Sequence, residues 1–385
     1  PEFEAATGMK VELKLLPFGE YNAMIDRELA SEQPAFDFIN VTFFLAAQWV
    51  ASGRLANLDE FTADANVTPA EWAPADFVAG AQLPYRDAKG GTYAYAWEGG
   101  ATIMGVSRMD LMERKGLLIP RTFEELRHVC AEIHQPGEVN GFVSWHLHHW
   151  CLIPYLQGFG GDVFADAPSD TTPTLSTDQA VQALEFYASL LKYAPLDVSS
   201  YTEDQARASL AKGRSNVFIH SSSWVAPSLL ANDSRVRDTA RIARMPVGPL
   251  FDRPASNSQG LGIPRTARNR AAAWEFVKWA LSPDMTARIM REHGHASVCR
   301  RSVIESEAYR AMNKVNGQDL GALYLDVLER PTRGKNYMAY RTVRQFPIVG
   351  DCINAAVDSV ISGRASARDA LNTAQALATA RLART

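Results

Sequence analysis

The chain is predicted to be an α/β protein built as two domains. At 385 residues it exceeds what one compact core usually supports. Short strand-like runs also alternate with amphipathic helical periods along its length. A third observation narrows what it can do. Trp145-His146-Leu147-His148-His149-Trp150, upstream of Gly160-Gly161, puts two indoles and three imidazoles within six residues. Such a string is too costly for solvent and too polar for a plain core, so a binding pocket is its expected place.

Lys10-Val11-Glu12-Leu13-Lys14-Leu15 alternates polar and apolar residues, as a half-buried strand does. Tyr21 to Ala30 carries Met24, Ile25 and Leu29 at helical spacing, and Phe36 to Val41 is short and almost continuously apolar. The latter suits a strand covered on both faces. Strand, helix and strand in that order predict a parallel crossover unit. Tyr93, Tyr95 and Trp97 alternate in a further strand, predicted to stop at Glu98-Gly99-Gly100 before a separate apolar run at Ile103 to Val106. Thr122-Phe123-Glu124-Glu125 is a capping box that opens a helix through Leu126, Val129 and Ile133.

Val181, Leu184, Ala188 and Leu191 mark another helix. Val217-Phe218-Ile219 then reads as a buried strand ending at His220-Ser221-Ser222-Ser223-Trp224. Gly260 to Ile263, a helix from Ala271 to Leu281 and a helical C-terminus through Ile353, Val357, Val360 and Leu371 complete the order. Pro249 to Ser258, rich in Pro, Asn and Ser, is the expected crossing between domains.

Composition excludes several classes. Hydrophobic residues make up 46% and charged residues 21%, ordinary for a soluble globular protein. The net charge is −4, with Lys and Arg scattered, which argues against nucleic acid or an anionic membrane as partner. No run approaches the roughly 18 apolar residues that span a bilayer. The most apolar, Phe36 to Ala51, is broken by Asp37, Asn40, Thr42 and Gln48. The chain opens on Pro1-Glu2-Phe3 without an initiator Met and reads as clipped, so a leader would lie outside it.

Cys130, Cys151, Cys299 and Cys352 lie far apart with no C-x-x-C spacing, against a zinc ribbon or thioredoxin-type site. Four partly buried thiols are expected, with Cys299 and Cys352 the first candidates for a bridge. No G-x-S-x-G, H-E-x-x-H, Walker A or helix-opening G-x-G-x-x-G occurs, so neither an enzyme nor a cofactor is expected.

Several segments together resemble a known family. They are Phe3 to Val11; Ala35-Phe36-Asp37-Phe38-Ile39 with Gly53-Arg54-Leu55 and Leu58-Asp59; and Met109-Asp110-Leu111, Gly116-Leu117 and Pro120 to Leu126. Further on come Ser223-Trp224, Leu261-Gly262-Ile263-Pro264 through Ala273 to Trp279, and Ser362-Gly363-Arg364 with Asp369-Ala370-Leu371. In this order they look like an ABC-transporter extracellular solute-binding protein of the maltose-binding (family 1) type. Each piece is weak alone and the ordered set is specific. The family's first strand and its following loop have no counterpart after Pro1.

The resemblance implies a type II periplasmic-binding-protein-like fold: two α/β lobes with a hinge, closing over ligand in an interlobe cleft by population shift. Residues 1–101 with 259–303 would form lobe 1, and 102–258 with 304–385 lobe 2. It further implies a monomer exported to the periplasm or cell exterior, with or without a lipid anchor, that hands its solute to a membrane permease.

A sugar or polyol presents apolar C–H faces and a rim of hydroxyls. Its binder needs flat aromatics and polar groups around them. Trp97 and Glu98 end a strand, where ligands collect in open α/β sheets, and resemble the family position for a hydroxyl-accepting carboxylate. The plainer alternative is a core Trp and a solvated turn Glu. Trp150 stands where the family often places a stacking aromatic, with Trp145, His148 and His149 as neighbours. His-x-His-His could instead ligate a metal, although no carboxylate or Cys stands at ligand spacing.

Trp224, after Ser223, resembles the family's second stacking platform, against the alternative of a lobe-core Trp. Tyr21, Thr42, Phe43 and Phe44 resemble ligand-contacting loops. Asn257 and Gln259 precede the return strand with short polar side chains. Arg341 could meet a hydroxyl or a surface acid, and Gly350 stands where maltose-type members carry a later aromatic. Trp49, Trp274 and Trp279 read as core. The expected function is capture of a small carbohydrate or polyol. The alternative is a polyamine or metal complex, although the chain has no Tyr-Tyr pair of the iron-capture kind.

Overall fold

The computed structural model describes residues 2–250, 252, 256–330 and 339–384. The strands among them are β1 (Ile39–Thr42), β2 (Ala94–Val106), β3 (Asn140–Phe142), β4 (Phe164–Asp166), β5 (Asp170–Pro173), β6 (Ser215–Ser221), β7 (Arg241–Arg244), β8 (Ser256–Gly262), β9 (Lys314–Val315) and β10 (Gln318–Asp319). The chain divides into two compact units. Unit 1 holds Pro1–Gly99 and Asn257–Asn313, and unit 2 holds Gly100–Ser256 and Lys314–Thr385.

In unit 1, β8 lies between β1 and β2, and it runs antiparallel to β1 with Ile39 opposite Gly262 and Thr42 opposite Gln259. Helices Phe18–Glu28, Phe43–Ala51 and Arg270–Ala280 belong to this unit. Its core is aromatic. Trp72 meets Tyr95 edge-on at 4.8 Å, and Phe61 stacks on Trp274 at 5.4 Å. The buried indoles are satisfied: Trp274 Nε1 donates to Thr68 Oγ1 at 2.9 Å and Trp49 Nε1 to Asp26 Oδ1 at 3.0 Å. Arg300, fully buried, lies 4.2 Å over Phe77 and pairs with Asp76 at 3.3 Å. Burial still pulls its guanidinium down to about 10.

In unit 2, the second half of β2 pairs antiparallel with β6 and with β7, while β3 joins β6 in parallel. The Thr122 capping box forms as expected on the helix Phe123–Ile133. Phe123 stacks on Phe186 at 5.0 Å and Tyr155 on Tyr187 at 5.5 Å, which joins that helix to Asp178–Leu191. Helices Phe346–Ile361 and Ala367–Leu382 pack together at the C-terminal end.

Several expectations are corrected. Lys10 to Leu15 forms no strand: Leu13 and Leu15 are exposed, and the Val11 amide is taken by Glu4 Oε1 at 3.0 Å. Alternation marks a face, but a strand also needs a partner for its backbone, and none of the described strands pairs here. The predicted parallel crossover is therefore not formed, and β1 pairs antiparallel with β8. β2 does not stop at Gly99-Gly100. Neither glycine has a positive φ, and the adjoining amides are held by Ser297 O at 2.8 Å and Ser222 Oγ at 3.1 Å.

The crossing expected at Pro249 to Ser258 lies partly outside the described residues. All four cysteines are free thiols, so the Cys299–Cys352 bridge is absent. Burial pushes Cys151 up to about 11, far from a reactive thiolate.

Candidate functional site

In unit 1 the polar groups gather where β1, β2 and β8 lie side by side. Trp97 Nε1 donates to Asn40 Oδ1 at 2.9 Å, and Asn40 Nδ2 donates to Gln259 Oε1 at 3.1 Å. Tyr21 Oη donates to the Asn40 carbonyl at 2.6 Å, which fixes the same residue from the helix side. The Trp97 ring stacks on His295, with centroids 5.9 Å apart and planes 25° from parallel.

Glu98, next on the strand, is half-buried, and no hydrogen bond or ion pair joins its carboxylate among the described residues. Burial alone raises its carboxyl above the ordinary range. His295 is pushed the other way, toward neutral imidazole, and its Nε2 is buried without a partner. The set is one unpaired carboxylate, a neutral imidazole, amides and a stacked aromatic pair. Such a group can accept and donate hydrogen bonds to a neutral polar molecule.

In unit 2 the candidate groups lie near the ends of β3 and β6. β6 delivers His220 and Ser221, and the helix Ser222–Leu230 begins at once and carries Trp224 in its first turn. Trp224 is 42% exposed, and the Arg207 guanidinium lies 4.6 Å from its ring centroid. Ser223 Oγ pairs with Ser221 Oγ at 2.8 Å. Burial lowers His220 to about 4. Glu203, at the start of the helix Glu203–Ala211, is raised by burial, opposed by Arg207.

The His-rich string does not act as one cluster. His146 Nδ1 lies 2.9 Å from the Tyr201 carbonyl, and the ring is exposed. His148 is fully buried, with Nδ1 3.0 Å from Tyr187 Oη and Nε2 3.5 Å from Asp358 Oδ1. His149 is held near Asn354 Oδ1 at 3.2 Å and driven down to about 3 by burial and by Arg341. Arg341 covers Trp150 at 3.4 Å, with Nη2 donating to the His149 carbonyl at 3.3 Å. Among the described residues no three His, Cys, Asp or Glu side chains are placed to hold a metal ion.

Five of the expected contact residues, Thr42, Phe43, Trp145, His148 and Arg341, are buried. Thr42 is fully buried and donates to Asn22 Oδ1 at 3.1 Å. Phe43 is core because the helix starting there turns it inward, and it meets the half-buried Phe44 edge-on. His148 is interior for the reason already given. Asn257 is half-buried, whereas Ser258 beside it is spent on the Ala81 carbonyl at 2.7 Å. Sequence reasoning assigned no role to Asn40, His295, Glu203, Arg207 or His220, which the structure places beside the residues it did single out. The position of His220 near the end of β6 is the one signal that could have flagged it. Nothing in the spacing marks His295.

A sequence profile of a family described as bacterial extracellular solute-binding protein matches residues 1–287. The chain is 27% identical over 370 residues to a mannitol-binding protein of Pseudomonas aeruginosa, covering 90% of this chain and 80% of that one. Two solved ABC-transporter solute-binding proteins are similar to it, each at 21% identity with a TM-score of 0.82. One, from Agrobacterium radiobacter in complex with ribitol, covers 98% of this chain and 92% of its own. The other, from Agrobacterium vitis with bound D-mannitol, covers 100% and 94%. The shared fold is the type II periplasmic-binding-protein fold.

Proposed function

We propose, from the premise that this chain belongs to the bacterial extracellular solute-binding protein family, that it captures a small neutral polyol or sugar for an ABC importer. That family consists of transport binding proteins rather than enzymes. The observation that supports the reading most is Glu98. A half-buried carboxylate with neither cation nor hydrogen-bond donor beside it is costly, and ligand hydroxyls can supply the missing donors. Trp97 with His295 gives the flat surface for the C–H face of such a ligand, and Asn40 and Gln259 give amides for its rim. Within unit 2 itself, Trp224 with Ser223, and Trp150 with Arg341 as an aromatic–guanidinium pair, are a further set of aromatic and polar groups.

The ligands of those relatives, mannitol and ribitol, are acyclic polyols of this description. A polyamine is not favoured, because the clusters offer neutral imidazoles and the guanidinium of Arg207 alongside single carboxylates. Export to the periplasm or cell exterior and delivery to membrane permease subunits complete the proposal.

Calorimetric titration with D-mannitol, ribitol, maltose and spermidine tests it. A polyol or sugar is expected to bind tightly, and Glu98→Gln to weaken that binding by about tenfold, the worth of a hydrogen bond to a charged acceptor. A response to spermidine alone would sink the reading.

A further inference from the structure

Among the buried polar atoms of unit 2 that have no hydrogen bond, three lie on neighbouring elements: Trp145 Nε1, His220 Nδ1 and Glu203 Oε1. They converge from three elements. Trp145 follows β3, His220 stands near the end of β6, and Glu203 opens the helix Glu203–Ala211 behind its Thr202 cap. The loop bearing Trp145 is tied to the approach of that helix, because the His146 amide donates to the Tyr201 carbonyl at 3.0 Å.

His220 Nδ1 and Glu203 Oε1 face each other at 3.9 Å, and the Trp145 and His220 rings are 5.7 Å apart. At 3.9 Å the pair is too far apart to bond directly. It is close enough for one oxygen to lie within hydrogen-bonding reach of both atoms. The side chains remain 14% and 26% exposed, so the group reaches the surface of its unit.

We propose that Trp145, Glu203 and His220 form a hydroxyl-recognition subsite, taking one hydroxyl of the bound solute. This deepens the polyol-capture reading and rests on it. The chemistry restricts the ligand group. The indole only donates, the carboxylate accepts, and the imidazole does either. A hydroxyl can accept from Trp145 while donating to Glu203. A carboxylate cannot donate to Glu203, and an ammonium cannot accept from the indole. The subsite therefore selects neutral polyols against sugar acids and amines, by leaving buried groups unpaired when the wrong ligand enters. Arg207 is already engaged, with Nε on Ser228 Oγ at 3.0 Å and its guanidinium over Trp224, so it does not compete for Glu203 by hydrogen bonding.

The test is calorimetry on the full chain with D-mannitol, ribitol and their single-deoxy analogues. The proteins are wild type, Trp145→Phe, Glu203→Gln, the double variant and Glu98→Gln, with circular dichroism to verify the fold. Trp145→Phe and Glu203→Gln are each expected to weaken the tightest polyol by roughly tenfold to a hundredfold. The double variant should lose less than the product of the two, because one hydroxyl serves both side chains. One deoxy analogue should bind wild type and Glu203→Gln with nearly equal affinity. That last comparison stands even where Trp145→Phe does not fold. Wild-type affinity in both variants, with Glu98→Gln weakened, overturns the subsite and leaves polyol capture standing. No binding of any polyol or sugar by the wild type overturns both.

Discussion

Burial raises the Glu98 carboxyl with no cation beside it to offset the cost. The folded state therefore holds its proton more tightly than the unfolded chain does. Its contribution to stability is full below the unfolded value and is lost as pH rises through the raised folded value. Once ionised, the group thus destabilises the unliganded protein. Glu98→Gln is expected to raise Tm at pH 7 while weakening polyol binding, and thermal melts of both proteins across pH check the sign. Trp224 behaves differently, because its ring is 42% exposed and carries little of the core. Trp224→Ala is expected to weaken binding tenfold to a thousandfold, about 2–4 kcal/mol, with Tm almost unchanged. An unaltered affinity with a lowered Tm would make that indole structural. Trp97, Glu98 and Trp224 were singled out for expected strand-end positions, yet β2 runs on through Trp97 and Glu98 to Val106 and Trp224 lies in the helix after β6. Thr42, Phe43 and His148 are buried, and residue type alone does not say which way a side chain turns.

Among elements, β3 is the most tightly constrained. A Cβ at Gly141 would come within 1.9 Å of the Cys130 carbonyl oxygen, backbone that cannot swing aside. Gly141→Ala is expected to cost at least about 3 kcal/mol, read by chemical denaturation, since strand and helix must separate to admit one methyl group. Gly350 has a milder version of this, with a Cβ 3.3 Å from the His149 ring. Gly350 thus admits His149 against the helix Phe346–Ile361. The capping box at Thr122 was legible because its hydrogen bonds are local. The continuous β2 was not, because its partners come from residues over 100 positions away, such as Ser222 on Ala101.

At the scale of the molecule, the buried imidazoles set the acid limit. His149 and His220, lowered to about 3 and about 4, are neutral in the folded protein at pH 5. The unfolded chain takes up protons at these positions below about 6.5. Stability present above that value is therefore lost on acidification, by up to about 2 kcal/mol for each group at pH 5. Denaturation at pH 7 and pH 5 should show the loss, and His149→Phe should shrink it. An equal loss in that variant would assign it to other groups.

The amino-acid order by itself determined the α/β class, the family resemblance and the capped helix at Thr122. Those properties rest on periodicity and on neighbours a few residues apart. Only the tertiary structure decided that Asn40, Gln259 and His295 gather about Trp97, and that Trp145, Glu203 and His220 meet with polar atoms unspent. It also decided which of the clustered histidines lie inside. A side chain's partners are chosen by packing and desolvation between segments far apart in the chain, and local spacing carries no record of them.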